Sequence, residues 1–265
     1  MPAVTLPPDR AAPGGSARPA APVPSCSLPP GPSAAPDPTL AALVRRHDGA
    51  VIRLAMLSGA TDAVGFLALG SAFTSVMTGN MVLVGLAAGT RDASALGLIA
   101  TAIAAYVVGV AAGTRLAGQP HPDDGVWPPA VTRALGLELA LLTTYAVIWW
   151  SLGSDPAHGW FAPLLALCAA ALGVQSSAIL RFGVNGLSTT YLTGTLTSVI
   201  VRLASGQPRQ TIGHPARILA ALIVGAGVGA GLVDVARPAA PAFQLVLLTT
   251  PLATGIRVAR AERQR

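Results

Sequence analysis

The feature that most constrains this chain is a succession of apolar runs, each about as long as a bilayer is thick, separated by short polar segments between Val51 and Ile256. Such a run crosses the hydrocarbon as a helix, because no water is present there to satisfy backbone groups left unpaired. Runs of this kind lie at about 51–70, 94–116, 133–152, 160–182, 216–235 and 242–256. They are continuous and rich in Ala, Leu, Val and Gly, without the alternating polarity that the strands of a transmembrane barrel need. Composition agrees, with 52% hydrophobic and 11% charged residues and a mean hydropathy of +0.60. Soluble domains carry a charged fraction nearer a quarter. The expected class is all-α, a polytopic membrane helix bundle.

The net charge of +6 and the pI of 10.6 do not point to nucleic acid, which requires basic residues gathered on one soluble face. Here all 17 basic residues are Arg, and from Arg45 onward they flank the apolar runs, so the lipid bilayer is the expected partner. Cys26 and Cys168 are too far apart in setting to suggest a disulfide pair, and His47, His121, His158 and His214 lack ligand spacing. No metal or cofactor is expected. No P-loop, GxSxG or HExxH motif occurs, and an enzyme is not expected.

Residues 1–42 are dominated by Pro, Ala, Gly and Ser and read as a disordered tail, without the basic start and apolar core of a signal peptide. The transmembrane domain covers 43–257, and Arg260, Arg263 and Arg265 belong to a short basic tail at 258–265. Within the domain a unit recurs. Ser58-Gly59-Ala60-Thr61-Asp62 followed by Met77-Thr78-Gly79-Asn80 returns about 115 residues later as Gly173-Val174-Gln175-Ser176-Ser177 followed by Leu192-Thr193-Gly194-Thr195. Val108–Gly113 is echoed by Val224–Gly229, and Glu138-Leu139-Ala140-Leu141-Leu142-Thr143-Thr144 by Gln244-Leu245-Val246-Leu247-Leu248-Thr249-Thr250. Repeat one runs over about 51–152 and repeat two over about 160–256.

The two Thr-Gly segments, about 73–88 and 183–203, mix polar and apolar residues and read as short or re-entrant helices. If they crossed fully there would be eight spans. With six, each repeat has three spans and the second is inverted. Arginine counting favours six: of the 15 Arg residues from Arg45 onward, only Arg91 and Arg237 then lie outside, whereas eight spans would put Arg115, Arg133, Arg181 and Arg237 there. Both termini are then cytoplasmic.

Asp62 is the sharpest candidate for chemistry, because a carboxylate inside a span is costly unless paired, hydrated or protonated. It reads either as a proton or cation coupling site or as an acid that fixes helix packing. Thr78, Gly79 and Asn80, and in the other half Thr193, Gly194 and Thr195, could open half-helices whose N-terminal N–H groups receive a polar group, or could simply cap and pack. Gln175 and Ser176 stand where the first repeat has Asp62. Gly109, Gly113, Gly225 and Gly229 form small-residue faces for helix packing. Glu138, whose repeat mate is Gln244, lies a turn or two from the start of its span and reads first as an acid that reaches water, with a functional role as the alternative, and Trp149-Trp150 suit an interfacial belt.

The run Gly59–Phe66, with Met77-Thr78-Gly79-Asn80, Gly173-Val174-Gln175 and Thr190-Tyr191-Leu192-Thr193-Gly194-Thr195, resembles the YoaK family of bacterial multi-pass membrane proteins over about residues 48–258. Thr61 replaces the aromatic or apolar residue usual before the acid. The resemblance implies an integral protein of the bacterial plasma (inner) membrane. It implies no substrate and no catalytic or binding residue, because the family is of unknown function. The expected activity is that of a secondary transporter or permease for a small solute, compatible with a homo-oligomer. A non-transporting membrane scaffold or accessory protein is the alternative.

Overall fold

A computed structural model describes residues 38–118, 127–181, 192–206 and 208–263, all within one unit from Pro38 onward. Among them every regular element is helical: α1 (Pro38–Ala68), α2 (Met77–Thr90), α3 (Ala93–Ala117), α4 (Pro129–Ser151), α5 (Phe161–Arg181), α6 (Leu192–Ala204), α7 (Arg209–Val235) and α8 (Ala239–Arg263), with one 3-10 turn at His158–Trp160. Helix α1 begins at Pro38, inside the stretch read as tail. Residues 1–37, Gly183 to Tyr191 of the second Thr-Gly segment, and Arg265 lie outside the described residues.

Six helices, α1, α3, α4, α5, α7 and α8, are long and apolar enough to cross a membrane. The 14 residues of α2 and 13 of α6 reach only about 20 Å, short of a roughly 30 Å hydrocarbon layer. Local chemistry sets the boundaries. Gly70 and Ser71 turn the chain after α1 with positive φ, and Ser71 N–H donates to the Phe66 carbonyl. Arg91 closes α2 in the left-handed region. Asp92 then caps α3, accepting from Ala95 N–H (3.0 Å), Ser94 Oγ (2.7 Å) and Ser94 N–H (3.1 Å). The Ala95 N–H, followed by the Ser94 hydroxyl, holds this exposed carboxyl below the usual carboxylate range.

Contacts between helix ends distinguish six crossings from eight. Arg237, between α7 and α8, is ion-paired with Asp155, between α4 and α5, and Trp150 Nε1–H donates to the Pro238 carbonyl (2.8 Å). These loops therefore share one end of the bundle, as six crossings require; eight would set them on opposite sides. At the other end, where α1 begins, Asp48 pairs with His214 at the start of α7. There too the ring of Trp127, just before α4, lies against Gly255 near the finish of α8. We call this the terminal end. Cysteines placed at Asp155 and Arg237 in a Cys26→Ser background are expected to react with an impermeant thiol reagent from the same face of sealed vesicles. Labelling from opposite faces would overturn this arrangement.

The two most extensive contacts are α3 on α5 and α1 on α7. Both are built on glycine. A Cβ on Gly109 would stand 2.1 Å from the Ala170 carbonyl oxygen, and one on Gly173 would stand 2.3 Å from that of Tyr106. Across α1 and α7, Gly225 would meet Met56 O at 2.0 Å, Gly59 would meet Leu222 O at 2.1 Å and Gly229 would meet Ala60 O at 2.7 Å. Gly113 lies against Val174 and Ser177. With no hydrophobic drive between helices in lipid, such backbone-to-backbone approach and its dispersion gain carry the association. Helices α4 and α8 pack on each other and on α5 and α1, while α3 and α7 keep most of their surface outward. That outer surface is apolar, with Val107, Val108, Ile223 and Val224 exposed, as a lipid-facing surface should be. Trp149 is not part of an interfacial belt: it is wholly buried, and its indole N–H donates to the Arg237 carbonyl (3.2 Å). Of the four tryptophans, Trp150 and Trp160 are exposed in the manner of belt residues.

Candidate functional site

Polar side chains at helical spacing on α1 point in three directions. Ser58 Oγ donates to Leu54 O (3.2 Å) and accepts from Gln175 Nε2–H of α5 (2.8 Å), which also donates to Leu54 O (3.3 Å). Thr61 Oγ1 donates to Leu57 O (2.8 Å) and accepts from Gln244 Nε2–H of α8 (3.2 Å). Asp62 turns towards the α1–α2 connection. These bonds satisfy buried hydroxyls on the spot, as a dry interior demands.

Asp62 has four donors. Its Oδ1 accepts from Thr74 N–H (2.7 Å), Ser75 N–H (2.7 Å) and Thr74 Oγ1 (2.9 Å), and its Oδ2 accepts from Ser75 Oγ (2.5 Å). Asn80 completes the turn, because its Oδ1 accepts from Phe73 N–H (2.9 Å) while its Nδ2–H donates to Phe73 O (2.7 Å). Phe73 stacks on Phe66 with centroids 5.0 Å apart. Asp62 lies six residues from the end of α1, about 9 Å along the axis, so the 73–76 turn is drawn into the bundle to that depth. Helix α2 starts there, near the carboxylate that favours its positive end, and leads back to the end where Asp92 opens α3. It is a re-entrant segment.

The candidates are therefore not all brought together. Asp62 and Asn80 are buried and committed to this turn, Thr78 is exposed and Gly79 is half-buried. Gln175 is buried against α1. Ser176 accepts from the Tyr106 hydroxyl of α3 (2.9 Å) and donates to Leu172 O (2.9 Å). Thr193 and Gly194 are exposed on α6, with Thr195 buried beside them.

The largest departure from expectation is Glu138. It does not reach water. It is the tenth residue of α4, about 13 Å from the helix start, and is 0% exposed. Neither carboxyl oxygen has a hydrogen-bond partner, and the same holds for Gln175 Oε1, Gln244 Oε1 and the Tyr145 hydroxyl. The sequence carried a signal for it, an acid within an apolar run. What hid its depth was the start of the helix at Pro129, four residues before the Arg133 that marks the span in the sequence. Chemically, the bundle holds one acid fully supplied with donors and one with none.

The family described as Protein of unknown function (DUF1275) matches residues 50–254. The UPF0700 transmembrane protein YoaK of Bacillus subtilis (strain 168) is 34% identical over 189 residues, covering 70% of this chain and 81% of that protein. No solved structure matches the chain significantly. With the match running from the start of the first crossing into the last, this multi-pass transmembrane protein belongs to the DUF1275 family.

Proposed function

We propose that the chain is a secondary transporter or permease for a small solute, with Glu138 as the group that couples movement to protons. The observation that carries this reading is the partnerless carboxyl inside the bundle. A charge at that depth costs several kcal/mol unless something neutralises or hydrates it, and intramembrane acids of this kind mark ion and substrate pathways. The site would lie between two inverted repeats, α1–α4 and α5–α8. Supporting the repeats, α3 on α5 corresponds to α7 on α1, Gly109 and Gly113 correspond to Gly225 and Gly229, and Gly173 corresponds to Gly59. The terminal end would be cytoplasmic, since only Arg91 and Arg237 of the span-flanking arginines lie at the other end, and the membrane would be the bacterial plasma membrane.

A non-transporting scaffold is the second reading, favoured by the saturated bonding of Asp62 and by the glycine contacts. Purified protein in liposomes, screened for solute flux under a pH gradient, separates them. Flux that follows the gradient, and loses that dependence in Glu138→Gln, is the expected result. Absence of flux for every solute class would leave the scaffold.

A further inference from the structure

We propose that this structure is one of two states of an alternating cycle, in which Asp48 and His214 latch α1 to α7 at the terminal end while a cavity between α3 and α5 is the entrance at the opposite end. This rests on the transport reading with its inverted repeats, and it names how that path is opened and shut. Three backbone approaches fix the correspondence between the halves. Gly109 on Ala170 matches Gly225 on Met56, Gly173 on Tyr106 matches Gly59 on Leu222, and Gly113 on Val174 matches Gly229 on Ala60. One alignment of α3 with α7 and one of α5 with α1 satisfies all three.

The same alignments reach the helix starts. Leu98 and His214 stand eleven residues before Gly109 and Gly225, about 16 Å along the axis, and Ala162 and Asp48 stand eight residues before Ala170 and Met56. Leu98 with Ala162 therefore takes the place in the α3–α5 pair that His214 with Asp48 takes in the α1–α7 pair. Helices α3 and α5 start at the end of the bundle opposite to the starts of α1 and α7, so the two places lie at opposite ends.

They are not in the same condition. Asp48 Oδ1 lies 3.6 Å from His214 Nδ1, with the side chains 32% and 25% exposed. Leu98 and Ala162 instead stand in the wall of a cavity of about 580 Å³, with Ser94 and Thr101 of α3 and His158 and Phe161 at the start of α5. The lining stops at Thr101 and Ala162, short of Tyr106 and Ala170, where the backbones meet. Two observations of different kinds, an ion pair and a cavity, thus fall on positions that the glycine contacts had already made equivalent.

Letting each repeat take the conformation of the other generates the second state. Leu98 then closes on Ala162, and Asp48 parts from His214. Each helix pair pivots on its own glycine contacts, where backbone meets backbone and few side chains have to repack. The latch is polar and its counterpart apolar, so removing the latch moves the balance towards the second state by no more than the attraction lost.

The test is thiol labelling of the full chain in sealed proteoliposomes, with Cys26→Ser and with Cys168 left in place because it is wholly buried. Thr101→Cys, in the cavity wall, is expected to react with an impermeant maleimide from the face that carries Asp155 and Arg237. Adding Asp48→Ala should slow this reaction about two- to fivefold, the range that a partly exposed ion pair can shift, and should speed the bridging of Leu98→Cys to Ala162→Cys by a short bismaleimide. An unfolded chain would label faster, so loss of structure does not mimic the slowing. Bridging Asp48→Cys to His214→Cys should instead hold Thr101→Cys at its full rate or above. Reaction of Thr101→Cys from the terminal face alone, or at one rate whether the latch is removed or bridged, overturns the proposal. Coupled labelling without flux of any solute would keep the two states and remove the transport reading. Flux that continues undiminished in the chain bridged at Asp48 and His214 would keep transport and remove the latch.

Discussion

Asp62→Ala is expected to lower stability by about 3–5 kcal/mol, enough to melt the α1–α2 turn and depress expression. Four donors, the N–H and hydroxyl groups of Thr74 and Ser75, converge on this carboxylate within a buried turn. Removing it leaves all four without an acceptor at a depth where water does not substitute cheaply. Asp62→Asn keeps one carbonyl oxygen for the two backbone N–H groups, while Ser75 Oγ can rotate, so its cost should fall to about 1–2 kcal/mol. Thermal unfolding in detergent, with hydrogen exchange read over residues 70–80, measures both. A variant Asp62→Asn that keeps its stability and loses pH-dependent flux would return the coupling role to Asp62. The predicted pattern is the opposite: Asp62 variants lose stability, and Glu138→Gln loses coupling with stability unchanged or improved, since an unpartnered buried acid costs more than a neutral amide.

The second large effect is expected on α7. Gly225→Ala places a methyl group 2.0 Å from the carbonyl oxygen of Met56, and a backbone atom cannot rotate away as a side-chain tip can. The helices must part along their most intimate stretch, at a cost of about 3 kcal/mol. Gly227 is the control. Two residues along the same helix, an added Cβ there meets nothing within 4 Å, and Gly227→Ala should be neutral or gain about 0.5–1 kcal/mol through helix propensity. Thermal unfolding of the two variants side by side gives the comparison. Equal melting temperatures would remove the close α1–α7 contact from the account.

Much of this was legible in the chain. Apolar runs of span length, the low charge and the arginine pattern pointed to an all-helical, six-crossing bundle, because bilayer thickness and backbone satisfaction leave little choice. Periodicity also marked Gly109, Gly113, Gly225 and Gly229 as close-approach positions. It could not tell Gly225 from Gly227, since both stand in the same run of alternating glycines and only the neighbouring helix distinguishes them.

The roles of the two embedded acids were decided by tertiary structure alone. Asp62 was singled out from the sequence by its place in an apolar helix, and Glu138 was set aside because a basic residue lay close before it. Sequence distance along one helix measures neither depth nor partners. The donors to Asp62 come from a turn twelve and thirteen residues onward that folds back into the bundle. Glu138, by contrast, lies on a helix packed against α5 and α8, and neither of its oxygens finds a donor there. The sequence by itself determined that two acids would be carried into the membrane. That Asp62 found donors there depended on the fold-back of a turn twelve and thirteen residues onward, and that Glu138 found none depended on how helices distant in the sequence pack around it.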